Sequence, residues 1–483
     1  MSEVLDLRPA LPAALVALTG VVVLLAQAFT PKGQRAPSSA LSLVGLVGAL
    51  AAVVALGGGS ARGAVLAGAL AADGLSLFLQ ALILAVAILT VLLSPGYLRA
   101  NGIERGEHYA LLLFSVVGML GLVSSLELVS MFVALEIMSV ALYGLAGFDR
   151  ARRESQESAL KYFVTGSFAS AFFLYGVALV YGVTGSTALE RVTRSLGTAS
   201  PAALPLAVLG AALLLVGFGF KVASVPFHMW TPDVYEGAPT TVTAFMSAGV
   251  KAAAFGALLR VFDYGLPSLA SHWQPLVAAL AVVTMVVGNL AALAQTSLKR
   301  LLAYSSIAHA GYLMSALVAP PALASEAILF YLVAYAAVNL GAFGVIAALA
   351  REGREPASVA DLAGLSERRP ALAAALAVFL VSLTGIPVTA GFVGKFYLFN
   401  AAVASGWVVL ALVGVITSVV SAYYYLRLVV AMYMEAPLGE DRFAAVAPAA
   451  VLALSLSAAA TLVFGLWPAP VLALARLAGR SLF

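Results

Sequence analysis

Residues 213–239, LLLVGFGFKVASVPFHMWTPDVYEGAP, place a lysine inside an apolar run and follow it with prolines. The run is apolar enough to lie in membrane hydrocarbon, where an ionisable side chain is costly unless polar groups or water meet it. Because proline removes a backbone donor and clashes with the preceding turn, the helix that carries Lys221 is predicted to break near Pro226. This stretch therefore indicates a membrane helix that is interrupted beside a functional group.

The whole chain has the composition of a polytopic membrane protein. Of its 483 residues, 63% are hydrophobic and 10% are charged, whereas a soluble domain is about half apolar and a quarter charged. The formal charge of +4 does not indicate nucleic-acid binding, because the arginines lie in short loops between apolar runs. With no cysteine and no metal-like spacing of His, Asp or Glu, we expect neither an iron–sulfur cluster nor a metal in this chain.

Fourteen apolar runs are candidates for membrane spans, since a hydrocarbon core of about 30 Å needs roughly 20 apolar residues of helix. The runs are continuously apolar, which favours helices over a barrel. We predict an all-α polytopic membrane protein in which residues 1–483 form one membrane domain. The approximate limits of the runs are 10–29, 38–57, 74–94, 108–124, 126–147, 157–184, 202–226, 238–262, 273–294, 300–319, 323–350, 370–403, 406–433 and 446–467.

A second interrupted run occurs at 382–399, SLTGIPVTAGFVGKFYLF, and again contains a lysine, Lys395. The surrounding stretch 370–403 is too long for one straight span and contains Gly385 and Pro387, so two half-helices are predicted. The two breaks fall in spans 7 and 12. Paired broken helices at corresponding places point to inverted repeats with ion sites at the breaks.

The chain is accordingly predicted to contain two inverted five-helix repeats. Spans 4–8 would form the first repeat and spans 9–13 the second. The predicted limits are 1–107 for spans 1–3, 108–262 and 273–433 for the two repeats, and 446–483 for the last span and tail.

Lysine and arginine are distributed unevenly between the two sides of the predicted membrane. Fourteen lie in the odd-numbered loops and seven on the opposite side, which includes both termini. Because loops rich in lysine and arginine stay in the cytoplasm, this bias predicts that both termini face outward from a bacterial inner membrane.

Four of the six lysines lie inside predicted spans, namely Lys161, Lys221, Lys251 and Lys395. Glu136 lies about eleven residues into span 5, with no basic residue three or four positions later. Charge in hydrocarbon is too costly to persist unless it is paired, hydrated or neutralised. We therefore predict that Glu136, Lys221, Lys251 and Lys395 form a path for protons.

Further side chains are weaker candidates for a proton relay. Glu157 precedes Lys161 by four residues, so the two can pair on one helical face, although Lys161 can also be a snorkelling residue near its helix start. His228 and His309 carry imidazoles that exchange protons near neutral pH, although a lone histidine is more often a packing residue. Glu127 begins span 5 and can simply favour the helix N-terminus.

The segments around these groups resemble a known family. The strings at 220–255, 289–314 and 385–399, which include PFHMWTPDVYEGAP and GIPVTAGFVGKFYLF, closely resemble subunit N of proton-pumping NADH-quinone oxidoreductase, respiratory complex I. The resemblance is to subunit N and not to its sister subunits M and L. It implies an antiporter-like fold of fourteen helices with two inverted repeats and broken helices 7 and 12.

The resemblance also implies roles for individual residues. Glu136 matches the family's helix-5 glutamate, whereas Lys221, Lys251 and Lys395 match its lysines on helices 7, 8 and 12. The string ESALKYF at 157–163 matches its helix-6 segment. The family implies that protons move along a buried Glu/Lys/His axis, driven by quinone reduction elsewhere in the complex.

Cofactors and partners follow from the same resemblance. It implies that NADH, FMN, iron–sulfur clusters and quinone are bound by partner subunits, with none bound by this chain. The implied membrane partners are the sister subunit M, small subunits such as K, and the lipid bilayer.

Two other functions remain open on sequence alone. The first is a subunit of a multisubunit cation/proton antiporter or of a membrane-bound hydrogenase, whose related subunits share the fold. The second is a secondary solute carrier that works alone, which would need a substrate-sized polar cavity at the helix breaks. A purely structural subunit would leave four buried lysines without a purpose.

Overall fold

Helices account for almost all of the chain in a computed structural model that describes residues 7–31, 37–57, 64–65, 68–350, 355–437 and 445–481. The strands among the described residues form one short antiparallel pair, β1 Ala64–Val65 and β2 Leu70–Ala71. The helices are α1 Leu11–Phe29, α2 Ser38–Gly57, α3 Gly74–Ala100, α4 Gly106–Ser124, α5 Leu128–Ala146, α6 Arg153–Thr184, α7 Leu189–Gly197, α8 Leu204–Val222, α9 Trp230–Gly237, α10 Thr240–Phe245, α11 Lys251–Leu258, α12 Ala270–Leu293, α13 Leu298–Leu317, α14 Pro321–Ala348, α15 Leu365–Arg368, α16 Pro370–Thr384, α17 Ala390–Ala404, α18 Val408–Met434, α19 Pro448–Leu466 and α20 Ala469–Arg480.

The prediction of an all-α membrane protein is confirmed. Within the described ranges, twelve helical segments are long and apolar enough to cross a membrane. Predicted span 10 is the more polar helix α13, and predicted span 12 is the pair of shorter apolar helices α16 and α17. Each of the fourteen predicted runs thus has a helical counterpart, although the number that crosses the membrane stays a prediction.

Both predicted helix breaks are present. Helix α8 ends at Val222, and Ala223 takes a left-handed conformation with φ 64° before the chain resumes as α9. Val222 lies four residues before Pro226, at the position whose carbonyl the proline ring would clash with in a continuing helix. In the second break, α16 ends at Thr384, Gly385 takes a left-handed conformation with φ 88°, and α17 begins at Ala390.

Matching features recur at corresponding places in the two predicted repeats. Glu127, at the start of span 5, forms an antiparallel bridge with Ala188, which follows span 6. Ser297, at the start of span 10, forms the same kind of bridge with Ser358, which follows span 11. These bridges support the division into 108–262 and 273–433, which stays a prediction.

The most enclosed spans are the eighth and the eleventh. Span 8 is one continuous helical segment, Thr240–Gly265, in which π-helical turns at Met246–Val250 and Leu259–Gly265 flank α11. In the most apolar 18-residue stretch of span 8, every residue is buried. The buried share of the corresponding stretch is 94% for α14 but only 28% for α1 and for α19. π-Helical turns often occur at functional sites, and here they flank Lys251.

The predicted orientation stays untested. Six of the basic residues on which it rests lie outside the described residues, namely Lys32, Arg35, Arg62, Arg351, Arg354 and Arg442.

Candidate proton-transfer path

Lys221 occupies the last turn of α8, directly before the first helix break, and is only 3% exposed. Its Nζ donates to Ser139 Oγ on α5 at 2.8 Å. Three aromatic rings surround the ammonium, with centroids 5.3 Å away for Phe220, 5.5 Å for Tyr162 and 5.7 Å for Tyr143. Ring faces attract a cation at such distances, so the site can hold a protonated lysine within the protein.

Glu136 is half-buried on α5, one helical turn before Ser139. Its Oε1 accepts from Ser170 Oγ on α6 at 2.5 Å. Among the described side chains, no ion pair within 4.0 Å joins Glu136 to Lys221. Ser139, one turn after Glu136 on α5, accepts from Lys221 and donates to the Leu135 carbonyl.

The predicted pair of Glu157 and Lys161 is present, with 2.7 Å between Oε1 and Nζ. Lys161 also contacts Asp233 on α9 at 2.5 Å, and the other carboxylate oxygen of Asp233 accepts from Arg300 at 2.7 Å. Arg300 in turn contacts Glu236 at 3.1 Å. The sequence reading missed Asp233, although an acidic residue directly after a helix break was the available signal.

Lys299 is a further buried lysine and is only 4% exposed. The predicted limits 300–319 of span 10 wrongly leave it in a loop, whereas it lies in the first turn of α13. Its Nζ donates to the Ala238 carbonyl at 2.9 Å, to Thr240 Oγ1 at 3.1 Å and to Glu355 Oε1 at 3.0 Å. Arg152 Nη1 lies 3.7 Å from the same carboxylate oxygen. The cluster ties the first repeat to the second.

Glu355 lies in the loop after α14, and its pKa gives this cluster a pH dependence. Burial alone would raise the pKa, but Lys299 and the Thr240 hydroxyl outweigh burial and hold the pKa below its ordinary value. A carboxyl whose pKa is lower in the folded state stabilises the fold at neutral pH, and this stabilisation is lost as the pH falls through the lowered pKa.

We therefore expect Glu355→Gln to lower the thermal-unfolding midpoint of the purified protein at neutral pH. The variant should also lose less additional stability than the unmodified protein as the pH falls from neutral to below the lowered pKa of Glu355. Glu190→Gln is the matched control, since Glu190 forms an exposed pair with Arg194, and exposed pairs contribute little. Equal acid sensitivity of the Glu355→Gln variant and the unmodified protein would contradict this role.

Lys251 lies at the centre of the buried span 8 and is 2% exposed. Its Nζ donates to Ser306 Oγ on α13 at 2.7 Å and also to the Ser306 carbonyl. The ring centroid of Tyr335 lies 5.0 Å from the same Nζ. Lys251 thus joins the buried helices of the two repeats.

His309 is 1% exposed and lies on α13, three residues after Ser306. Its Nδ1 is hydrogen-bonded to the Tyr331 hydroxyl, and its Nε2 lies 3.0 Å from the Tyr425 hydroxyl. The rings of Tyr335 and Tyr312 each lie 5.3 Å from the imidazole. Every ring around His309 therefore belongs to a tyrosine, which carries a hydroxyl that can pass a proton.

Lys395 is 4% exposed and lies on α17, after the second break. Its Nζ donates to the carbonyls of Leu383 at 2.8 Å and Thr384 at 3.0 Å, and to Ser418 Oγ at 2.7 Å. These carbonyls are the last two of α16, where the helix end carries partial negative charge. The ring of Tyr312 lies 5.0 Å away. All three ammonium donors thus have acceptors, two from the helix break and one from α18.

The structure brings these groups into one line. Tyr335 lies against both Lys251 and His309, and Tyr312 lies against both His309 and Lys395. In the first half, Tyr162 beside Lys221 stacks on Trp230 at 4.4 Å, and Trp230 lies 6.1 Å from Tyr235. Tyr235 lies beside Ser306, the partner of Lys251. The sequence reading missed these aromatic links, because their residues are far apart along the chain.

His228 and Glu127 are not joined to this line. His228 lies in the first break, and no hydrogen bond or ring contact within the described part of the chain connects it to the buried lysines. Glu127 precedes α5, where its carboxylate accepts from Thr187 Oγ1 at 2.6 Å and from Ser130 Oγ at 2.9 Å. Its contacts are those of a residue that orders a helix start.

The surroundings also limit the chemistry. No group of three His, Asp or Glu side chains that could hold a metal occurs among the described residues. A cavity of about 690 Å³ opens beside Lys395 at the second break, and its lining is mostly apolar, with residues such as Phe392, Phe396 and Leu412. This is unlike the polar cavity that a solute carrier would need.

Known proteins share both the sequence and the fold. The family described as NADH:quinone oxidoreductase/Mrp antiporter, TM matches residues 125–421. NADH-quinone oxidoreductase subunit N of Trichlorobacter lovleyi is 43% identical over 475 residues, which are 98% of this chain and 97% of the relative. The corresponding protein of Chloroflexus aggregans is 45% identical over 476 residues, which are 97% and 96% of the two chains.

A solved structure gives the same result. A chain of respiratory complex I from Thermus thermophilus superimposes with a TM-score of 0.81 at 39% identity, covering 96% of this chain and 98% of that one. The resemblance inferred from the motifs is therefore confirmed, and the two alternative functions are not favoured. The chain belongs to the NADH:quinone oxidoreductase and Mrp antiporter family of membrane proteins, and within it to the subunit N family of NADH-quinone oxidoreductase.

Proposed function

We propose that the chain moves protons across the membrane as a non-redox subunit of a proton-translocating NADH-quinone oxidoreductase. The observation that carries this proposal is the line of Lys221, Lys251, His309 and Lys395, all almost fully buried and linked by hydroxyls and aromatic rings. Groups of this kind inside a membrane protein are costly and mark ion paths.

The contacts of the lysines suggest a direction for the path. One of the three Lys221 donors has a hydrogen-bond acceptor among the described residues, and the rest of the ammonium faces rings. All three donors of Lys395 have acceptors. We propose that the path runs from Lys221 through Lys251 and His309 to Lys395, whose ammonium has the fuller set of acceptors.

Glu136 would control the start of this path. Its carboxylate shares helix α5 with Ser139, the acceptor of Lys221, so a shift of the helix or a change in the charge of Glu136 alters the site of Lys221. Lys161 would act at the helix ends, where Asp233 and Glu157 share its ammonium. The energy would come from quinone reduction in partner subunits that hold NADH, FMN, iron–sulfur clusters and quinone.

The surface near both ends of the path supports a place among other membrane subunits. Glu136 lines an open cavity of about 490 Å³ with Val133, Ile137 and Val140, which are 50%, 44% and 63% exposed. Lys395 lines the larger cavity at the second break. In a membrane such apolar surface is covered by lipid chains or by the helices of other subunits. We propose contacts with the sister subunit M and with small subunits such as K, in a bacterial inner membrane with both termini outside.

Extraction in a mild detergent tests the assembly. Co-purification with proteins that carry FMN and iron–sulfur clusters is expected for a subunit of the oxidoreductase. Recovery with only other antiporter-like subunits, in a complex without flavin, would contradict it in favour of a cation/proton antiporter.

We expect His309→Gln to lower NADH-driven proton uptake by about tenfold, less than the loss of a direct proton donor because neighbouring tyrosines can substitute in part. Glutamine keeps a polar side chain in the site but cannot take up a proton. The measurement is acidification of vesicles that contain the purified complex.

His108→Gln is the matched control for this prediction. His108 is completely buried on α4 and contacts the rings of Tyr109 and Phe148, with no link to the path in the described structure. Pumping should be unchanged in this variant. If both histidine variants pumped equally well, His309 would be a packing residue.

A further inference from the structure

An apolar groove lies on the surface between α2, α3, α14, α19 and α20, away from the proton path. Its volume is about 1090 Å³, and most of its lining is aliphatic or aromatic. Small side chains, such as Ala81 and Ala85 on α3 and Ala460 on α19, form part of its walls. The groove therefore has the depth to hold a chain of hydrocarbon.

Helix α20 covers one end of this groove and is held at two points. Ser481, directly after the helix, accepts from the Leu75 amide at the start of α3 at 3.2 Å. Arg476 pairs with Glu326 on α14 at 2.7 Å. On the same helix, Leu474 and Leu477 line the groove while remaining 57% and 64% exposed. The exposed leucines indicate that something apolar covers them.

The length of the groove suits an extended acyl chain. The groove follows α3 from Gly74 to Leu89, a length of about 22 Å at roughly 1.5 Å per residue. One leaflet of a bilayer core is about 15 Å thick, so an acyl chain can lie along the groove over the whole depth of a leaflet.

The charges at the covered end favour one class of lipid. Asp73 lines this end, but Arg260 neutralises it with two contacts of 2.7 and 2.9 Å. Arg480 is exposed three residues after Leu477, on the same face of α20, and forms no ion pair with any described residue. The net charge available to a headgroup at this end is therefore positive.

We propose that the groove is a binding site for an anionic phospholipid, with an acyl chain along α3 and the headgroup beside Arg480. Lipid chains in the surrounding bilayer are already in an apolar environment, so the aliphatic walls alone would not select one lipid. Selection comes from the guanidinium, and one basic residue at the membrane surface corresponds to about a fivefold preference for an anionic lipid.

The test uses the whole complex, reconstituted into phosphatidylcholine vesicles with a minor fraction of phosphatidylglycerol that carries a photoreactive group on its acyl chain. We expect cross-linked peptides from α3 and α20, and about fivefold less labelling when the photoreactive lipid is phosphatidylcholine. Arg480→Gln should abolish this difference. Because Arg480 is exposed, this variant is expected to leave the fold unchanged.

Ala81→Phe fills the groove and should lower labelling of α3 and α20 at least about fivefold. Ala14→Phe is the matched control, because Ala14 is exposed on α1 outside the groove. Unchanged labelling in an assembled Ala81→Phe complex would overturn the proposal. Equal labelling by the two lipids in the unmodified complex, or cross-links from the groove to another subunit, would also overturn it.

Discussion

Lys395→Arg abolishes proton pumping while the complex still assembles: this is the expected result if Lys395 exchanges protons. Arginine keeps the positive charge and the donors for the Leu383 and Thr384 carbonyls, but it does not release a proton at any working pH. We expect NADH-driven proton uptake by vesicles to fall about 100-fold, the lower end of what a positioned proton donor contributes.

The control for this variant is electron transfer that bypasses the membrane part. Oxidation of NADH by a water-soluble acceptor should be unchanged, because Lys395 lies on a membrane helix. Lys395→Met removes the charge as well and should pump no better than the arginine variant. A Lys395→Arg complex that pumped at the full rate would show that only the charge of this residue matters.

The sequence predicted the general fold because membrane helices follow from local composition. Runs of apolar residues set the helices, and prolines and glycines set the breaks. Pro226 ended α8 at Val222, four residues upstream, as the clash of its ring with the preceding turn requires. The number of spans could not be fixed in the same way, because α13 carries Lys299 and Arg300 near its start and reads as a weaker membrane helix.

Side-chain partners were predicted less well, because tertiary packing decides them. The pair of Glu157 and Lys161 was predictable from its spacing of four residues, whereas Asp233, which shares the same lysine, comes from another helix. Lys299 was misassigned because it lies at the edge of an apolar run. Its burial depends on Glu355, which follows a different helix.

The aromatic links of the path are a further case. Tyrosine and histidine are compatible with packing in any membrane core, so Tyr312 and Tyr335 gave no signal in the sequence. Their role is visible only in the folded structure. There Tyr335 contacts both Lys251 and His309, and Tyr312 contacts both His309 and Lys395. The lysines were identifiable because a charge in hydrocarbon has few structural explanations.

Lys221→Gln should lower proton uptake about 100-fold, since glutamine cannot carry the proton that starts the path. Glutamine can still hydrogen-bond to Ser139, so the packing of α8 against α5 is retained. The measurement is again NADH-driven acidification, with NADH oxidation by a water-soluble acceptor as the control for assembly. Full pumping by this variant would refute the proposed path, including its direction.

The same site tests how Glu136 acts. Glu136 and Lys221 form no direct ion pair in the described structure, whereas Ser139, one turn after Glu136 on α5, accepts a hydrogen bond from Lys221. If Ser139 carries the coupling, Glu136→Gln and Ser139→Ala should each reduce pumping, and the double variant should be no worse than the worse single variant. Additive losses would mean that Glu136 reaches Lys221 by another route, such as a direct contact formed when α5 moves during turnover.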